Sequence, residues 1–501
     1  MDRPKVFGNF INGAWAEGSG EYANTNPSDT RDVIGSYARA TEKQAKDAIG
    51  AAQAAFPAWS VSTPQQRFDA LDAIGTEILG RKSELGDLLA REEGKTLPEA
   101  VGEVVRAGYI FKFFAGEALR IPGETLQSVR PGVGVEITRE PLGVVSIVTP
   151  WNFPIAIPAW KIAPALCYGN AVVFKPAELV PGSAWALSEI ISRAGLPAGV
   201  FNLVMGKSSE IGDTLLNDAR IAGISFTGSQ AIGRKVAQAA TGGLKKFQLE
   251  MGGKNPLVVL DDADLPTAVN CAVQGGFFST GQRCTASSKV IATQGIHDRF
   301  VAAVIEKLKT LKIDDARKKG TDIGPVVDER QLAQNLDYLN IGQKEGGRLA
   351  HGGNRVEKNG DGQPGYYMMP ALFTDTAPGM RINREEIFGP VVSVLRAKDY
   401  EEAVRLPSEC EYGNGVAIFT RDGDTARDFT NRVQVGMVGV NFAIPVPLAY
   451  YTFGGWKRSG FGDLNQHGPD SVRFYTKTKT VTARWPSGTK EGAEFVIPTM
   501  K

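Results

Sequence analysis

One of the four cysteines stands in a context that favours nucleophilic chemistry. Cys284 follows a polar, glycine-bearing stretch, whereas we expect Cys167, Cys271 and Cys410 to be small buried apolar residues. A thiolate adds to a carbonyl carbon when its pKa is lowered or when a base lies close by. No histidine is near Cys284 in the sequence, so a cysteine–histidine protease arrangement has no support.

Two other side chains have types and positions that suit a catalytic site. Glu250 precedes a double glycine at the end of an apolar strand, where a carboxylate is unusual for a solvated surface. Asn152 lies in the turn Thr-Pro-Trp-Asn-Phe-Pro between a predicted strand and helix, where its amide could donate to a developing oxyanion. An ordinary turn explains either residue alone, but together with Cys284 they favour catalysis.

Glycines and charges at strand ends indicate a nucleotide site. Gly228 and Ser229, with Gly233 one turn later, follow a predicted strand and begin a helix, whose free N–H groups suit a phosphate. Lys175 and Glu178 end another strand, where an acidic residue can accept ribose hydroxyls and a lysine can donate. A tight turn and a solvated strand end are the respective alternatives. Neither the usual Gly-x-Gly-x-x-Gly fingerprint nor a Walker loop occurs at these two strand ends.

These residues belong to a regular alternation of strands and helices. From residue 142 the predicted strands are 143–148, 171–174, 200–204 and 221–226, and the predicted helices are 155–167, 183–194, 208–216 and 229–240. A second alternation has predicted strands 256–260, 289–292 and 391–395 and helices 268–277 and 300–311. This pattern predicts parallel sheets covered on both faces, with ligands at the carboxyl ends of the strands. The first 120 residues are predicted to be mostly helical, including a helix capped by Thr63 and Gln66.

Length and composition exclude several classes of protein. The 501 residues suggest roughly two to four domains, and a net charge of +1 gives no field for a nucleic acid. The three histidines are far apart and no Cys-x-x-Cys occurs, so we expect neither a metal site nor disulfides. Four prolines interrupt the apolar residues 144–174, which excludes a membrane span there. The first six residues do not resemble a signal peptide, and we expect a cytoplasmic protein.

In their order along the chain, the motifs resemble those of the aldehyde dehydrogenase superfamily. The resemblance extends from about residue 10 to residue 486 and is carried by residues 149–154, 175–178, 226–233, 249–254, 281–284, 385–390 and 453–460. It implies an α/β fold with a Rossmann-like nucleotide-binding domain, a second α/β catalytic domain and a small β extension for oligomerisation. The implied boundaries are 1–120 with 142–250 for cofactor binding, 251–440 for catalysis, 121–141 with 476–486 for the extension, 441–475 for a segment closing the active site, and 487–501 for a tail.

The resemblance also implies a role for each matching residue. Cys284 is the implied nucleophile, Asn152 with the backbone N–H of Cys284 the oxyanion hole, and Glu250 the base that activates water. Lys161 matches a lysine that aids proton handling. The implied cofactor contacts are Trp151, Lys175, Glu178, Gly228, Ser229, Leu249, Glu386 and Phe388. The cofactor is expected to be NAD, with NADP possible, because the Glu178 carboxylate would repel a 2′-phosphate.

The substrate signal is mixed. Segments around residues 252–259, 279–286 and 114–120 are similar to bacterial 2,5-dioxopentanoate dehydrogenases, whereas residues 440–447 and 474–486 resemble the methylmalonate-semialdehyde group, whose members often form an acyl-CoA. A semialdehyde carboxylate needs a cation, and Arg106 and Arg283 are the candidates. Packing beside the nucleophile is the alternative for Arg283, and solvent exposure on an amphipathic helix, which we favour, is the alternative for Arg106. Phe153, Ile157 and Trp160 are implied to line a partly apolar tunnel, which leaves aromatic or aliphatic aldehydes open.

Resemblance further implies a homodimer or homotetramer that acts on a small-molecule aldehyde, without nucleic acid or membrane. Because Glu250 is retained, hydrolysis to the acid is favoured over transfer to coenzyme A. Two readings from other classes remain: an acyltransferase that uses Cys284 without a redox cofactor, and a non-catalytic nucleotide-binding protein. NADH formation from an aldehyde excludes the first, and loss of turnover on replacing Cys284 excludes the second.

Overall fold

The strand and helix alternation predicted from residue 142 onward forms two large sheets in the computed structural model, which describes residues 6–463 and 467–485. The predicted tail, residues 487–501, and residue 486 of the predicted extension lie outside the described residues. The first part of the chain forms β1 (Val6–Phe7), β2 (Asn9–Ile11), β3 (Ala14–Ala16), β4 (Glu21–Thr25), β5 (Val33–Ala38), α1 (Glu42–Ser60), α2 (Pro64–Gly80), α3 (Lys82–Glu93) and α4 (Leu97–Ala118).

The elements that follow include the five central strands of the first large sheet. The elements are β6 (Glu124–Gln127), β7 (Val133–Pro141), β8 (Val144–Val148), α5 (Ala156–Cys167), β9 (Ala171–Lys175), α6 (Pro181–Ser192), β10 (Phe201–Leu203), α7 (Ser208–Asn217), β11 (Ile221–Gly228), α8 (Gln230–Gly242) and β12 (Lys246–Met251). The five central strands are β8 to β12.

The second sheet and its helices come next, followed by a return of the chain to the first sheet. The elements are β13 (Pro256–Val259), α9 (Leu265–Phe277), a 3-10 turn (Phe278–Gly281), β14 (Lys289–Thr293), α10 (His297–Lys309), α11 (Glu329–Lys344), β15 (Arg348–His351), β16 (Arg355–Lys358), β17 (Pro364–Met368), β18 (Ala371–Thr374), α12 (Arg381–Arg384), β19 (Val391–Ala397), α13 (Tyr400–Glu409), β20 (Tyr412–Gly413), β21 (Gly415–Phe419), α14 (Gly423–Arg432), β22 (Met437–Val440), β23 (Trp456–Lys457), β24 (Gly460–Gly462), α15 (Ser471–Tyr475) and β25 (Thr476–Arg484).

The first large sheet has the strand order β24-β12-β11-β8-β9-β10-β2-β3. Its five central strands are parallel, and the antiparallel β24 and β2 close its two sides. One core cluster, with α2, α4, α5 and α6, covers one face, and a second, with α1, α7 and α8, covers the other. Both faces are therefore buried, which explains the nearly continuous apolar runs of β8 and β9 and confirms the predicted α/β class.

The second large sheet has the order β15-β18-β19-β14-β13-β21-β22. Its strands are parallel except for β15 at one edge. Apolar clusters cover its two faces with α9 and α10 on one side and α13 and α14 on the other. Separately, β6, β7 and β25 form a three-stranded antiparallel sheet from the predicted extension. Over the described ranges, none of the helices is both long enough and apolar enough to cross a bilayer.

The prediction that the first 120 residues are mostly helical is confirmed by α1–α4, but it did not foresee the strands β1–β5 that residues 6–38 form. These strands are only two to six residues long, so they show little periodicity of their own. Their pairing comes from distant residues, such as Phe10 of β2 against Leu203 of β10. By contrast the capping box at Thr63 and Gln66 is confirmed, because capping is encoded within four neighbouring residues.

Candidate active site

Neighbouring strands of the first sheet end side by side at the same edge. Val148 at the end of β8 lies in register with Lys175 of β9, and Thr227 of β11 lies in register with Glu250 of β12. Because parallel strands point the same way, the segments that leave them meet at this edge. The predicted cofactor residues and the predicted base therefore share one side of the sheet.

A cavity of about 430 Å³ opens at this edge. Its walls include the predicted site residues Trp151, Asn152, Gly228, Ser229, Glu250, Cys284, Glu386 and Phe388. Its other lining residues were not predicted from the sequence: Pro150, Leu179, Thr227, Met251, Gly252, Val327, Asp328, Arg330, Gln331 and Gln334. The remaining predicted residues, which do not line this cavity, are Lys161, Lys175, Glu178, Leu249, Arg106, Arg283, Phe153, Ile157 and Trp160. The structure thus joins the predicted nucleophile, the predicted base, an amide donor and a helix end around one space.

Cys284 is carried by a turn with an unusual backbone. Ser279, Thr280 and Gly281 follow one another with positive φ angles of 49°, 54° and 66°, a region that costs a non-glycine residue on the order of 1 kcal/mol or more. Side-chain hydrogen bonds hold the two non-glycine residues there. The N–H and hydroxyl of Ser279 donate to Glu99 at 2.8 and 3.0 Å, and the Thr280 hydroxyl donates to two backbone carbonyls. Such strain at a tightly held turn is typical of functional sites.

Two asparagines orient the backbone of the cysteine itself. Asn255 and Asn414 donate their side-chain N–H groups to the Cys284 carbonyl at 2.7 and 3.3 Å. Gly253 passes close to the same carbonyl, because a Cβ at that position would lie 2.6 Å from its oxygen. The second glycine after Glu250 is therefore needed for the close approach of the two segments.

The Cys284 thiol lies against the Glu250 carboxylate. Burial, followed by the charges of Glu250 and Glu386, raises the pKa of the thiol well above its usual value. Burial also raises the pKa of Glu250, with Cys284, Lys161 and Thr227 opposing that rise. Within the described residues both Glu250 oxygens are buried without a hydrogen bond of normal geometry. A carboxylate so placed can accept a proton from the thiol or from a water molecule.

Asn152 brings an amide donor to the same cavity. Its side chain is buried, and its Nδ2 donates to the backbone carbonyl of Gln282 at 3.0 Å. That bond uses one of the two amide hydrogens, so the second remains available to a ligand. Since Asn152 and Cys284 line one cavity, this hydrogen suits an oxyanion formed on carbon attached to the sulfur.

Lys161 lies beneath the cavity rather than on its wall. Its ammonium donates to the Ser225 hydroxyl at 3.0 Å, and that hydroxyl donates to Gln248 at 2.9 Å. Burial lowers the pKa of Lys161 to about 7, although Glu250 acts in the opposite direction. Burial thus favours the neutral amine of Lys161, whereas the neighbouring Glu250 charge favours its ammonium form.

The start of helix α8 offers a phosphate site. Ser229 is the N-cap of α8, but among the described residues its side chain does not cap the helix. The free N–H groups of the first turn face the cavity edge that Gly228 and Ser229 line. Gly228 and Gly233 allow tight packing, since a Cβ would lie 2.6 Å from the Phe226 ring or 2.5 Å from the Met251 sulfur. These features fit the pyrophosphate of a dinucleotide.

Lys175 and Glu178 follow β9 next to the cavity-lining Leu179. The Lys175 ammonium donates to the carbonyl of Pro176 at 3.1 Å, and burial lowers its pKa to about 8. One oxygen of Glu178 accepts the N–H of Ser208, the first residue of α7, at 3.1 Å. Glu178 thus has a structural contact in addition to its predicted ribose contact.

Residues 386–388, between α12 and β19, bring Glu386 and Phe388 to the cavity wall. Phe388 has a φ of 60°, and its ring meets the Trp151 ring edge to face at 5.3 Å. Glu386 accepts the N–H of Gly253 at 2.8 Å, and burial raises its pKa to about 7. The Phe388 carbonyl accepts from Gln331 at 3.0 Å. Gln331 was not predicted because it belongs to α11, which carries no recognisable motif.

The predicted substrate residues are divided between two places. Arg106 is half-buried, contrary to our expectation of an exposed side chain: its guanidinium lies 5.9 Å from the Trp160 ring and donates to the Pro447 carbonyl at 2.6 Å. Apolar side chains of α4 and the ring of Trp160 cover part of it, because α4 packs against α5 at this position. Arg283 instead donates to the carbonyls of Gln274 and Phe278 at the end of α9.

Ile157 and Phe153 lie next to Trp160 on or just before α5. Ile157 is fully buried, and Phe153 packs against the same core while its ring lies 3.8 Å from the Lys95 ammonium. Leu249, a predicted cofactor residue, is buried between the first sheet and α8. It therefore supports the sheet edge that lines the cavity without lining the cavity itself. Among the described residues no group of three or more histidine, cysteine or acidic side chains has metal-binding geometry.

Comparisons with known proteins extend over nearly the whole chain. A model of the aldehyde dehydrogenase family matches residues 15–481. The 2,5-dioxopentanoate dehydrogenase of Saccharolobus solfataricus is 40% identical over 474 residues, covering 94% of this chain and 98% of the relative. The malonate-semialdehyde dehydrogenase of Pseudomonas aeruginosa is 38% identical over 494 residues, covering 98% and 99%.

Solved structures agree with these relatives. The betaine aldehyde dehydrogenase of Staphylococcus aureus in complex with NAD+ superposes with a TM-score of 0.93 at 32% identity, covering 98% of this chain and 97% of that one. The methylmalonate-semialdehyde dehydrogenase of Oceanimonas doudoroffii superposes with a TM-score of 0.91 at 36% identity, covering 96% and 99%.

Proposed function

The chain belongs to the aldehyde dehydrogenase family and is an NAD(P)-dependent oxidoreductase, and we propose that its substrate is a small semialdehyde bearing a carboxylate, which it oxidises to the acid. The observation that carries the reaction is the meeting of Cys284, Glu250 and Asn152 at one cavity beside the α8 N-terminus. The relatives named for 2,5-dioxopentanoate and malonate semialdehyde support the substrate class. A panel of neutral and carboxylate-bearing aldehydes, with and without coenzyme A, tests it through NADH formation and identification of the product.

The reaction begins at Cys284. Its thiol gives a proton to Glu250, and the sulfur adds to the aldehyde carbon to form a thiohemiacetal. Asn152 and the Cys284 backbone N–H donate to the oxygen of this adduct, an interaction whose loss elsewhere costs about 3 kcal/mol. NAD, when bound, would supply the acceptor for the hydride of this adduct, and the residues proposed to hold NAD are Trp151, Lys175, Glu178, Gly228, Ser229, Glu386 and Phe388.

Hydrolysis then returns the enzyme to its starting state. Glu250, after releasing the thiol proton to solvent, takes a proton from water, and the water oxygen adds to the thioester carbon. The Cys284 sulfur then leaves as a thiolate and regains a proton from Glu250, with the acid as product. Lys161 lowers the pKa of Glu250 through its charge and so helps to keep the base ionised. Transfer to coenzyme A is the alternative fate of the thioester, and the product identified in the panel decides between them.

Arg106 is the proposed partner of the substrate carboxylate. Its guanidinium is half-buried, and within the described residues its Nε has no hydrogen-bond partner. We expect Arg106→Met to raise KM for a semialdehyde by about 10- to 100-fold, the value of one charge-assisted contact, while KM for a neutral aldehyde of equal length changes little. Arg283→Met is the matched comparison. Equal effects of Arg106→Met on both aldehydes would remove Arg106 from this role.

Glu178 is the proposed source of a preference for NAD over NADP. Its carboxylate lies where the adenosine ribose is expected and would repel a 2′-phosphate, whereas Lys175 would tolerate it. We expect Glu178→Gln to reduce the ratio of kcat/KM for NAD to that for NADP by about tenfold, one like-charge contact near a surface. Steady-state kinetics with both cofactors measures the ratio. A wild-type preference for NADP would contradict the assignment.

We also propose that the chain assembles as a homodimer or a dimer of dimers in the cytoplasm, where Cys284 stays reduced. The sheet of β6, β7 and β25 presents exposed Leu126 and Val481, and its outer strands have unpaired edges that suit a second copy. We expect Leu126→Asp with Val481→Asp to shift the mass in analytical ultracentrifugation towards the monomer. An unchanged mass would place the interface elsewhere.

A further inference from the structure

A buried lysine lies directly behind the turn that carries Asn152. Lys95, between α3 and α4, is 1% exposed, and its ammonium donates to the backbone carbonyl of Asn152 at 2.7 Å. The same ammonium donates to Glu103 of α4 at 2.7 Å and lies 3.8 Å from the centre of the Phe153 ring. The lysine therefore contacts two successive residues of this turn.

Glu103 holds the other side of the same turn. Its second oxygen accepts the backbone N–H groups of Ile155 and Ala156 at 3.0 and 3.1 Å. These residues begin α5, so Glu103 supplies the negative group that a helix N-terminus favours. Lys95 and Glu103 together fix the chain both before and after Phe153.

The pair is a charged one and is buried. Burial lowers the pKa of Lys95, but Glu103 and Glu93 outweigh burial and the pKa is raised overall. A buried ion pair contributes little net stability compared with apolar packing, yet removing one partner is costly. The pair is thus better explained by the geometry it imposes than by the free energy of unfolding.

We propose that Lys95 and Glu103 are positioning residues that hold the Asn152 amide in place for the oxyanion. This inference rests on the aldehyde oxidation proposed above, and it assigns these two residues no contact with the substrate. The Asn152 side chain has one further anchor, its bond to the Gln282 carbonyl. Without Lys95 the backbone carbonyl of Asn152 would lose the hydrogen bond that fixes it. The side-chain amide would then move relative to Cys284.

A double-mutant cycle tests this role. We expect Lys95→Met to lower kcat by about 10- to 100-fold, less than the about 10²–10³ for complete loss of an oxyanion donor. In an Asn152→Ala background the same change should lower kcat by less than about twofold, since residues that act as one unit are not additive. Equal losses in both backgrounds, or an unchanged kcat for Lys95→Met, would overturn the proposal.

A second variant keeps the test valid if Lys95→Met does not fold. Glu103→Gln keeps an oxygen for the α5 N–H groups but removes the charge that pairs with Lys95, and we expect a smaller loss of kcat that also vanishes in the Asn152→Ala background. Additive losses for this variant would likewise overturn the proposal. Lys112→Met, which removes a lysine of α4 paired with Asp72, is the matched control and should retain kcat.

Two measurements separate this inference from the proposed function. Iodoacetamide should alkylate Cys284 at the same rate in wild type, Lys95→Met and Glu103→Gln, because the thiol itself is not moved. A slowed rate would indicate general damage to the site and count against a positioning role. All variants are assayed with whichever aldehyde the wild type turns over fastest, so failure of the semialdehyde proposal leaves the cycle interpretable.

Discussion

Replacing Cys284 with serine is expected to lower kcat by at least about 10⁴-fold, the scale of losing a catalytic nucleophile. A serine hydroxyl is a far weaker nucleophile than a thiolate, and the site holds only Glu250 to activate it. Binding of NAD should be unchanged, because the α8 N-terminus and residues 386–388 do not involve the sulfur. NADH formation gives kcat, and fluorescence titration with NADH gives the dissociation constant.

Cys271→Ser is the matched control for this variant. Cys271 is a half-buried thiol on α9, in the same domain and close in sequence, but it does not line the cavity. It should therefore retain wild-type kcat. Turnover by Cys284→Ser within about tenfold of wild type would show that the reaction does not pass through a thioester on this residue.

The sequence predicted the alternating part of the fold because each piece of it is locally encoded. Strand β9 was predicted to within one residue, 171–174 against Ala171–Lys175, because a short apolar run between glycine and proline has few other solutions. Residues 6–38 failed because their short strands gain their pairing from distant partners such as Leu203. Such long-range pairing leaves no periodic signal in the strand itself.

The residues of the candidate site likewise fall into those that the sequence predicted and those that it did not. Cys284, Glu250 and Asn152 were found because each lies in a motif with unusual residue types, and parallel strands bring their ends together. Lys95, Glu99 and Gln331 were missed, although they hold the segments that carry Asn152, Cys284 and Phe388. They act through backbone contacts made across the fold, for example Glu99 with Ser279. Local spacing carries no record of such contacts.

Arg106 shows how a pattern can misplace a charged side chain. It occupies an amphipathic helix, and exposure is the usual fate of an arginine there. In the structure α4 is packed on both of its flanks, against α2 and α5, so even its polar positions are partly covered. The face of α4 that its sequence predicts to be exposed is therefore partly covered by the neighbouring helices.

Glu250→Gln is expected to lower steady-state kcat by about 10²–10⁴-fold, the usual contribution of a general base, while a first burst of NADH remains. The glutamate charge raises the pKa of the Cys284 thiol, so its removal makes the thiolate easier to form. This offsets the loss of Glu250 as the acceptor of the thiol proton, and acylation continues with that proton passing to solvent. Hydrolysis then lacks its base, and the acyl-enzyme accumulates. Stopped-flow absorbance measures the burst, and intact-protein mass spectrometry detects the thioester.

The dependence of kcat on pH gives an independent test of the role of Glu250. Burial raises the pKa of Glu250, so the carboxylate is protonated at low pH and the base form is gained as pH rises. Wild-type kcat should therefore increase with pH through that ionisation, and the glutamine variant should lose this dependence.

If the variant keeps wild-type kcat when coenzyme A is present but not when it is absent, the thioester is passed to that thiol. Glu250 would then be needed for hydrolysis alone, because the thiolate of coenzyme A attacks the thioester without the help of a base.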